Sequence, residues 1–161
     1  MTVLTKMDPA AFAGFAHDAI ASYAQDNVLS GRWLNSGAEA RARAEFDRLL
    51  PQGIDTPTHE FFVIRESPEG EAIGQIWFNS SQAGGERVGY LYNIRLESQH
   101  RGHGHAARAL ALLDEHARAN HVATVGLHVF ALNARAQALY RAAGYGISGF
   151  NMHKRLARDD A

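Results

Sequence analysis

The chain has 161 residues, 46% of them hydrophobic and 20% charged, and its sixteen Lys and Arg against seventeen Asp and Glu leave a formal net charge of −1. Length and composition describe one ordinary globular domain over 1–161 with enough chain to bury a core, and the charge balance gives no overall electrostatic reason to expect nucleic acid or an anionic membrane as partner. No cysteine is present, which excludes disulfides, thiolate metal sites and a cysteine nucleophile. No apolar run approaches the ~20 residues of a bilayer crossing, and the opening Met1 to Asp8 has no apolar signal core, so a cytoplasmic location is the default expectation.

Asp8-Pro9 predicts a helix start, with Asp as N-cap and Pro at the first helical position. Phe12, Phe15, Ala16, Ala19, Ile20 and Tyr23 then recur at three- and four-residue spacing, placing one apolar face on a helix that runs to about Leu29. Ser30-Gly31 ends it. Ser36-Gly37-Ala38-Glu39 has the pattern of a capping box and predicts a second helix carrying Phe46, Leu49 and Leu50, stopped by Pro51-Gln52-Gly53. From His59 the character changes. Phe61-Phe62-Val63-Ile64 reads as a strand, Ser67 to Gly70 as a turn and Ala72 to Asn79 as the returning strand of a hairpin. A third extended segment spans Val88 to Leu96, after Ala83-Gly84-Gly85. A helix over Ala106 to Ala119, a strand over Val122 to Phe130, a helix over Asn133 to Ala143 closed by Gly144, and a final strand over Ile147 to Leu156 complete the pattern.

Between the third extended segment and the helix after it stands Gln99-His100-Arg101-Gly102-His103-Gly104-His105-Ala106. A glycine turn at a strand-to-helix junction gathers backbone N–H groups and the positive end of a helix dipole at one point, which suits a pyrophosphate. Taken alone, the turn also fits a helix entry that binds nothing. A phosphate-binding loop of the Walker type would place Gly-Lys-Ser/Thr after the glycines, and His105-Ala106 stands there instead. His100, His103 and His105 lack a fourth ligand at matching spacing, and no His-Glu-x-x-His helix pattern occurs, so a solvated turn is expected rather than a metal site.

Gln99-x-x-Gly102-x-Gly104, Asn133-x-x-Ala136-x-x-x-Tyr140 and Gly144-Tyr145 before a segment ending Met152-x-Lys154-x-Leu156 occur in that order. Together they resemble the GCN5-related N-acetyltransferases (GNAT) over about Ala10 to Leu156. The segments Gly31-Arg32-Trp33-Leu34, Leu49-Leu50-Pro51-x-Gly53 and Thr56-Pro57-x-His59-x-Phe61 look like a bacterial subgroup whose members largely lack assigned substrates. The resemblance implies an α/β architecture, a mixed and mostly antiparallel sheet of six or seven strands with about four flanking helices. It implies acetyl-CoA or another acyl-CoA as donor, and the absence of a metal-ligand pattern adds the expectation of no metal. The backbone amides of Arg101, Gly102, His103, Gly104, His105 and Ala106, with Gln99 at the head of the turn, would hold the pyrophosphate. The main chain of Ile94, Arg95 and Leu96 would run beside the pantetheine arm as an added strand does, where the fourth and fifth strands splay apart, often at a bulge. Asn133 would stand near the pantetheine.

Thioester aminolysis needs a neutral amine, a stabilised oxyanion and a protonated leaving thiolate. The resemblance assigns the oxyanion to the Leu96 N–H and the sulfur to Tyr140, either as proton donor or as hydrogen-bond donor. Taken alone, Tyr140 also reads as a core aromatic. The base is open. Asn93 occupies the position where the subgroup can carry an acid, and His128 and His59 are candidates by chemistry. Trp33 and Trp77 read as packing anchors, with Trp33 also a candidate for the acceptor wall. The expectation is direct transfer to a primary amine within a ternary complex. The rival is a non-catalytic acyl-CoA-binding or sensing module on the same fold. The sequence is compatible with a homodimer and leaves the amine unnamed.

Overall fold

The computed structural model describes residues 1–157; the last four residues of the domain expected over 1–161 lie outside the described residues. Helix α1 (Pro9–Leu29) starts as the sequence predicts, with the Asp8 carboxylate accepting the Ala10 amide at 2.7 Å and Pro9 where no N–H is required. Helix α2 (Ala38–Leu49) starts differently. The capping box does not form, because Gly37, left-handed at φ +77°, is the cap residue and Ser36 stands one position too early to reach the third amide.

Five strands form one sheet in sequence order: β1 (Val3–Lys6), β2 (His59–Arg65), β3 (Ala72–Ala83), β4 (Glu86–Leu96) and β5 (Val122–Leu127). The first four pair antiparallel and β5 lies parallel to β4. A parallel neighbour requires a crossover, here through α3 (His105–Ala119), and α4 (Ala134–Ala142) follows β5. The run Phe61 to Ile64 shows why the sheet is covered on both sides. Phe61 and Val63 pack with Phe15, Phe46 and Trp77 beneath α1 and α2, while Phe62 and Ile64 pack with Phe78, Leu110 and Leu113 beneath α3. Successive side chains of a strand face opposite ways, so four apolar residues in a row seed two cores.

The sheet has five strands among the described residues, where six or seven were expected, and three particulars differ. Strand β1 was not anticipated. The segment Ile147 to Leu156 is not a strand: it has no ladder partner, and Ile147, Phe150, Met152 and Leu156 are exposed. The strand expected to reach Phe130 stops at Leu127, where its pairing with β4 stops.

That stop shapes the cleft. Strands β4 and β5 pair only as far as Leu91 and Leu127. On the other side of β4, Trp77 faces Asn93 and Phe78 faces Leu91, leaving Tyr92 as the extra residue of a bulge. Beyond it, Tyr92 to Leu96 keep β3 as neighbour and have no strand on the β5 side.

Candidate functional site

A cleft of about 820 Å³ follows the free edge of β4. At one end lies the glycine turn. Gly102 at φ +81° and Gly104 at φ +78° are left-handed, which glycine adopts without the strain a Cβ brings, and Gly104 is the cap of α3, whose first amides have no partner within the helix. Ile94, Arg95, Leu96, Arg101, Gly102, Gly104 and Ala106 line this end. The Arg101 Nε donates to the Leu96 carbonyl at 2.9 Å, tying the turn to the end of β4.

Gln99, His103 and His105 are not among the residues lining the cleft. The Gln99 amide donates to Glu97 at 2.8 Å, and the His103 carbonyl accepts from Arg108 at 2.6 Å. The His105 ring is buried behind the turn, with Nδ1 3.0 Å from the Thr2 hydroxyl and Nε2 3.2 Å from the Glu66 carboxylate. The same Glu66 oxygen is 3.6 Å from His100 Nδ1, so the two rings steady the turn from within. Among the described residues, no group of three or more His, Cys, Asp or Glu is placed to hold a metal ion.

Asn133, the cap of α4, and Tyr140, about two turns farther along that helix, both line the cleft. The Asn133 side chain caps that helix, accepting the Ala136 amide at 3.0 Å. Tyr140 packs against the core beneath α3, and burial raises its pKa, which keeps the phenol protonated. Its ring meets Tyr145 edge-on at 5.7 Å. The Tyr145 hydroxyl is pushed up to about 12 by burial, Asp114 and Tyr140.

The opposite end is walled by α1, α2 and the chain after β5. Tyr92 stacks on Trp77 with centroids 4.4 Å apart and meets Tyr90 edge-on. The Tyr23 hydroxyl donates to Glu45 at 2.9 Å. Asp26, Arg32, Asn93 and His128 line the same end. Burial and the nearby Arg32 charge lower the His128 pKa, so its imidazole is neutral at neutral pH. His59 is outside the cleft lining; burial lowers its pKa, and its Nδ1 accepts the Trp77 indole N–H at 2.9 Å. Trp33 is likewise outside, packed edge-on to Tyr23 beneath the Arg41 guanidinium, while Trp77 reaches the cleft.

Sequence reasoning missed Tyr23 as a wall residue, together with Asp26, Glu45, Tyr90 and Tyr92. One signal was present. Ala19, Tyr23 and Asp26 follow at i, i+4 and i+7, which puts a carboxylate on the inward stripe of α1.

The chain matches the acetyltransferase (GNAT) family over residues 26–145. It is 32% identical over 157 residues to YycN of Bacillus subtilis (strain 168), an uncharacterized N-acetyltransferase, covering 97% of this chain and 100% of that one. YdgE of the same organism, also an uncharacterized N-acetyltransferase, is 31% identical over 153 residues, 95% of this chain and 97% of that one. The crystal structure of YycN superposes with a TM-score of 0.92 at 30% identity over 98% of this chain and 100% of that chain. This family fold is consistent with acyl transfer that depends on acetyl-CoA. With the family match running through most of the sequence, and a relative that aligns along its whole length at 32% identity and shares the fold, the chain belongs to the acetyltransferase (GNAT) family.

Proposed function

We propose that the protein is an N-acetyltransferase that moves an acetyl group from acetyl-CoA to a primary amine directly, within a ternary complex. The observation that carries this reading is the free edge of β4. A strand edge left open from Tyr92 to Leu96 and leading into a turn of left-handed glycines offers main-chain partners to an extended arm, then amides to its phosphates. Bound there, acetyl-CoA supplies an activated acyl group. The amides of the turn and of the first residues of α3, with Arg101, hold the pyrophosphate. The main chain of Ile94 to Leu96 aligns the pantetheine, and the Leu96 N–H stabilises the developing oxyanion as a fixed dipole that needs no reorganisation. Tyr140 serves the departing sulfur. Its raised pKa makes complete proton transfer harder and leaves a neutral phenol that donates a hydrogen bond as charge builds. Holding the amine and the thioester together supplies much of the remaining acceleration.

The test is release of free CoA from acetyl-CoA across a panel of primary amines, with acetylated product identified by mass. Tyr140→Phe should lower kcat about 10- to 100-fold while leaving stabilisation by CoA unchanged. Tight CoA binding without turnover on any amine would turn the reading into that of a non-catalytic acyl-CoA sensor, and no stabilisation by saturating CoA would overturn it.

A further inference from the structure

An ammonium at neutral pH must lose a proton before its nitrogen can attack, and the cleft contains few groups able to take one. Asn93 has no basic atom. Glu45 is engaged by the Tyr23 hydroxyl and is 4.0 Å from Arg41. His128 is exposed beside Arg32, whose charge opposes formation of an imidazolium. Asp26 differs from these. It lines the cleft half-buried, and among the described residues no side chain donates to or pairs with its carboxylate. Burial raises its pKa, which makes it a stronger base than an ordinary aspartate.

Its position agrees. Asp18 on α1 pairs with Arg95 on β4 at 3.2 Å. The turn after α1 brings Arg32 close enough to His128 to shift it, and His128 directly follows Leu127, the partner of Leu91. Helix α1 therefore runs antiparallel to the free half of β4. Asp26 lies eight residues beyond Asp18, about 12 Å along the helix; Tyr92 lies three residues before Arg95, about 10 Å along the strand. Asp26 thus comes level with the Tyr92 bulge, at the far end of the free edge from the glycine turn.

We propose that Asp26 is the group that takes the proton from the acceptor ammonium in this cleft. The inference rests on the acetyltransferase reading above. The ammonium gives one proton to Asp26, which passes it to solvent. The neutral nitrogen forms the C–N bond as the C–S bond breaks, and its second proton passes to the leaving sulfur, whose developing charge is steadied by the hydrogen bond from the neutral Tyr140 phenol, so the products are amide, thiol and one released proton. The titratable and charged groups that line the cleft with Asp26 on the elements packed around it are Tyr23 on its own helix, Glu45 on α2, Arg32 and His128 after α1 and β5, and Tyr90 and Tyr92 on β4.

The experiment compares wild type, Asp26→Asn and Asp26→Glu by kcat/KM from pH 6 to pH 10 on an amine that the panel identifies, with CoA-induced thermal stabilisation as a folding and donor-binding control. Asp26→Asn should lose about 100-fold or more at pH 7 and recover as pH rises toward the pKa of the amine, because free amine then needs no base. Asp26→Glu should restore part of the rate, and both variants should keep wild-type stabilisation by CoA. Asp26→Asn within twofold of wild type, or a uniform loss with the wild-type pH profile, would overturn the proposal. If Asp26→Asn does not fold, Asp26→Glu decides: a displaced pH profile supports the role, and an unchanged one refutes it. A wild type that binds CoA and acetylates no amine would overturn the acetyltransferase reading itself, and this proposal with it.

Discussion

Replacing Gly102 with Ala separates the conformational demand of the glycine turn from its contact with a ligand. Gly102 sits at φ +81° with nothing within 4 Å of where a Cβ would stand. The substitution therefore carries only the strain of a left-handed alanine, about 1–2 kcal/mol. In a chain of this size each kcal/mol moves Tm by about 2–4 °C, so the free protein should melt about 2–8 °C lower. Gly104→Ala bears the same strain, and its Cβ would also lie 2.9 Å from the Arg108 guanidinium, which holds Thr2 and the His103 carbonyl; its loss should be at least as large. CoA divides the effects. At a concentration of 100 Kd the wild type gains about 2.7 kcal/mol, or about 5–11 °C. The Gly102→Ala methyl stands in open space at a residue that lines the cleft, and a tenfold weaker complex would retain only about 1.4 kcal/mol of that gain at the same CoA concentration. Thermal melts with and without CoA read both quantities. An undiminished CoA shift in Gly102→Ala, on top of the lowered Tm, would refute the assignment of this turn to the donor.

Asn133→Ala should cost about 0.5–2 kcal/mol by removing the cap of α4, and Asn133→Ser should recover most of it, both measured by urea denaturation. A stability loss in Asn133→Ser equal to that of Asn133→Ala would show that capping is not what the side chain does. For pH, burial pushes the Glu60 carboxyl up, but the hydrogen bonds from Lys6 and His116 outweigh this and hold its pKa below the ordinary 4.5. A carboxyl depressed on folding contributes stability that is complete above its unfolded pKa and is lost as pH falls through the folded value. The urea midpoint should therefore fall more steeply below about pH 5 in the wild type than in Glu60→Gln, and parallel curves would count against the pairing.

The parts legible in the sequence are those that local physics decides. Asp8-Pro9 begins α1 because capping is settled within three residues, and Gly102 and Gly104 mark the turn because a positive φ is a property of the residue itself. What the sequence hid depends on partners. Val3 to Lys6 is too short to carry a pattern and becomes a strand only by pairing with Phe62 to Arg65. Ile147 to Leu156 reads as a strand but has no ladder to join, so propensity without a partner leaves it irregular and exposed. Ser36 to Glu39 matched a capping box in residue types, while a left-handed Gly37 moved the helix start. The glycine-turn end of the cleft follows from one continuous stretch of chain. Its opposite wall is assembled from α1, α2, β4 and the chain after β5, and a reading of apolar periodicity passes over Asp26 because it tracks only the apolar positions of that helix.

The split between β4 and β5 also bears on how such a cleft changes over evolutionary time. What the free strand edge offers is main chain: no point mutation removes its carbonyls, and only a change to proline removes an N–H. The facing wall is made of side chains, Tyr23 and Asp26 on one surface helix and Glu45 on another, each replaceable by a single codon change without disturbing the edge. One half of the cleft is thus buffered against sequence drift and the other is free to explore. On the acetyltransferase reading proposed above, chains that share this edge can take the same donor while acetylating different recipients, so the recipient has to be read from α1 and α2 in each chain and does not follow from kinship.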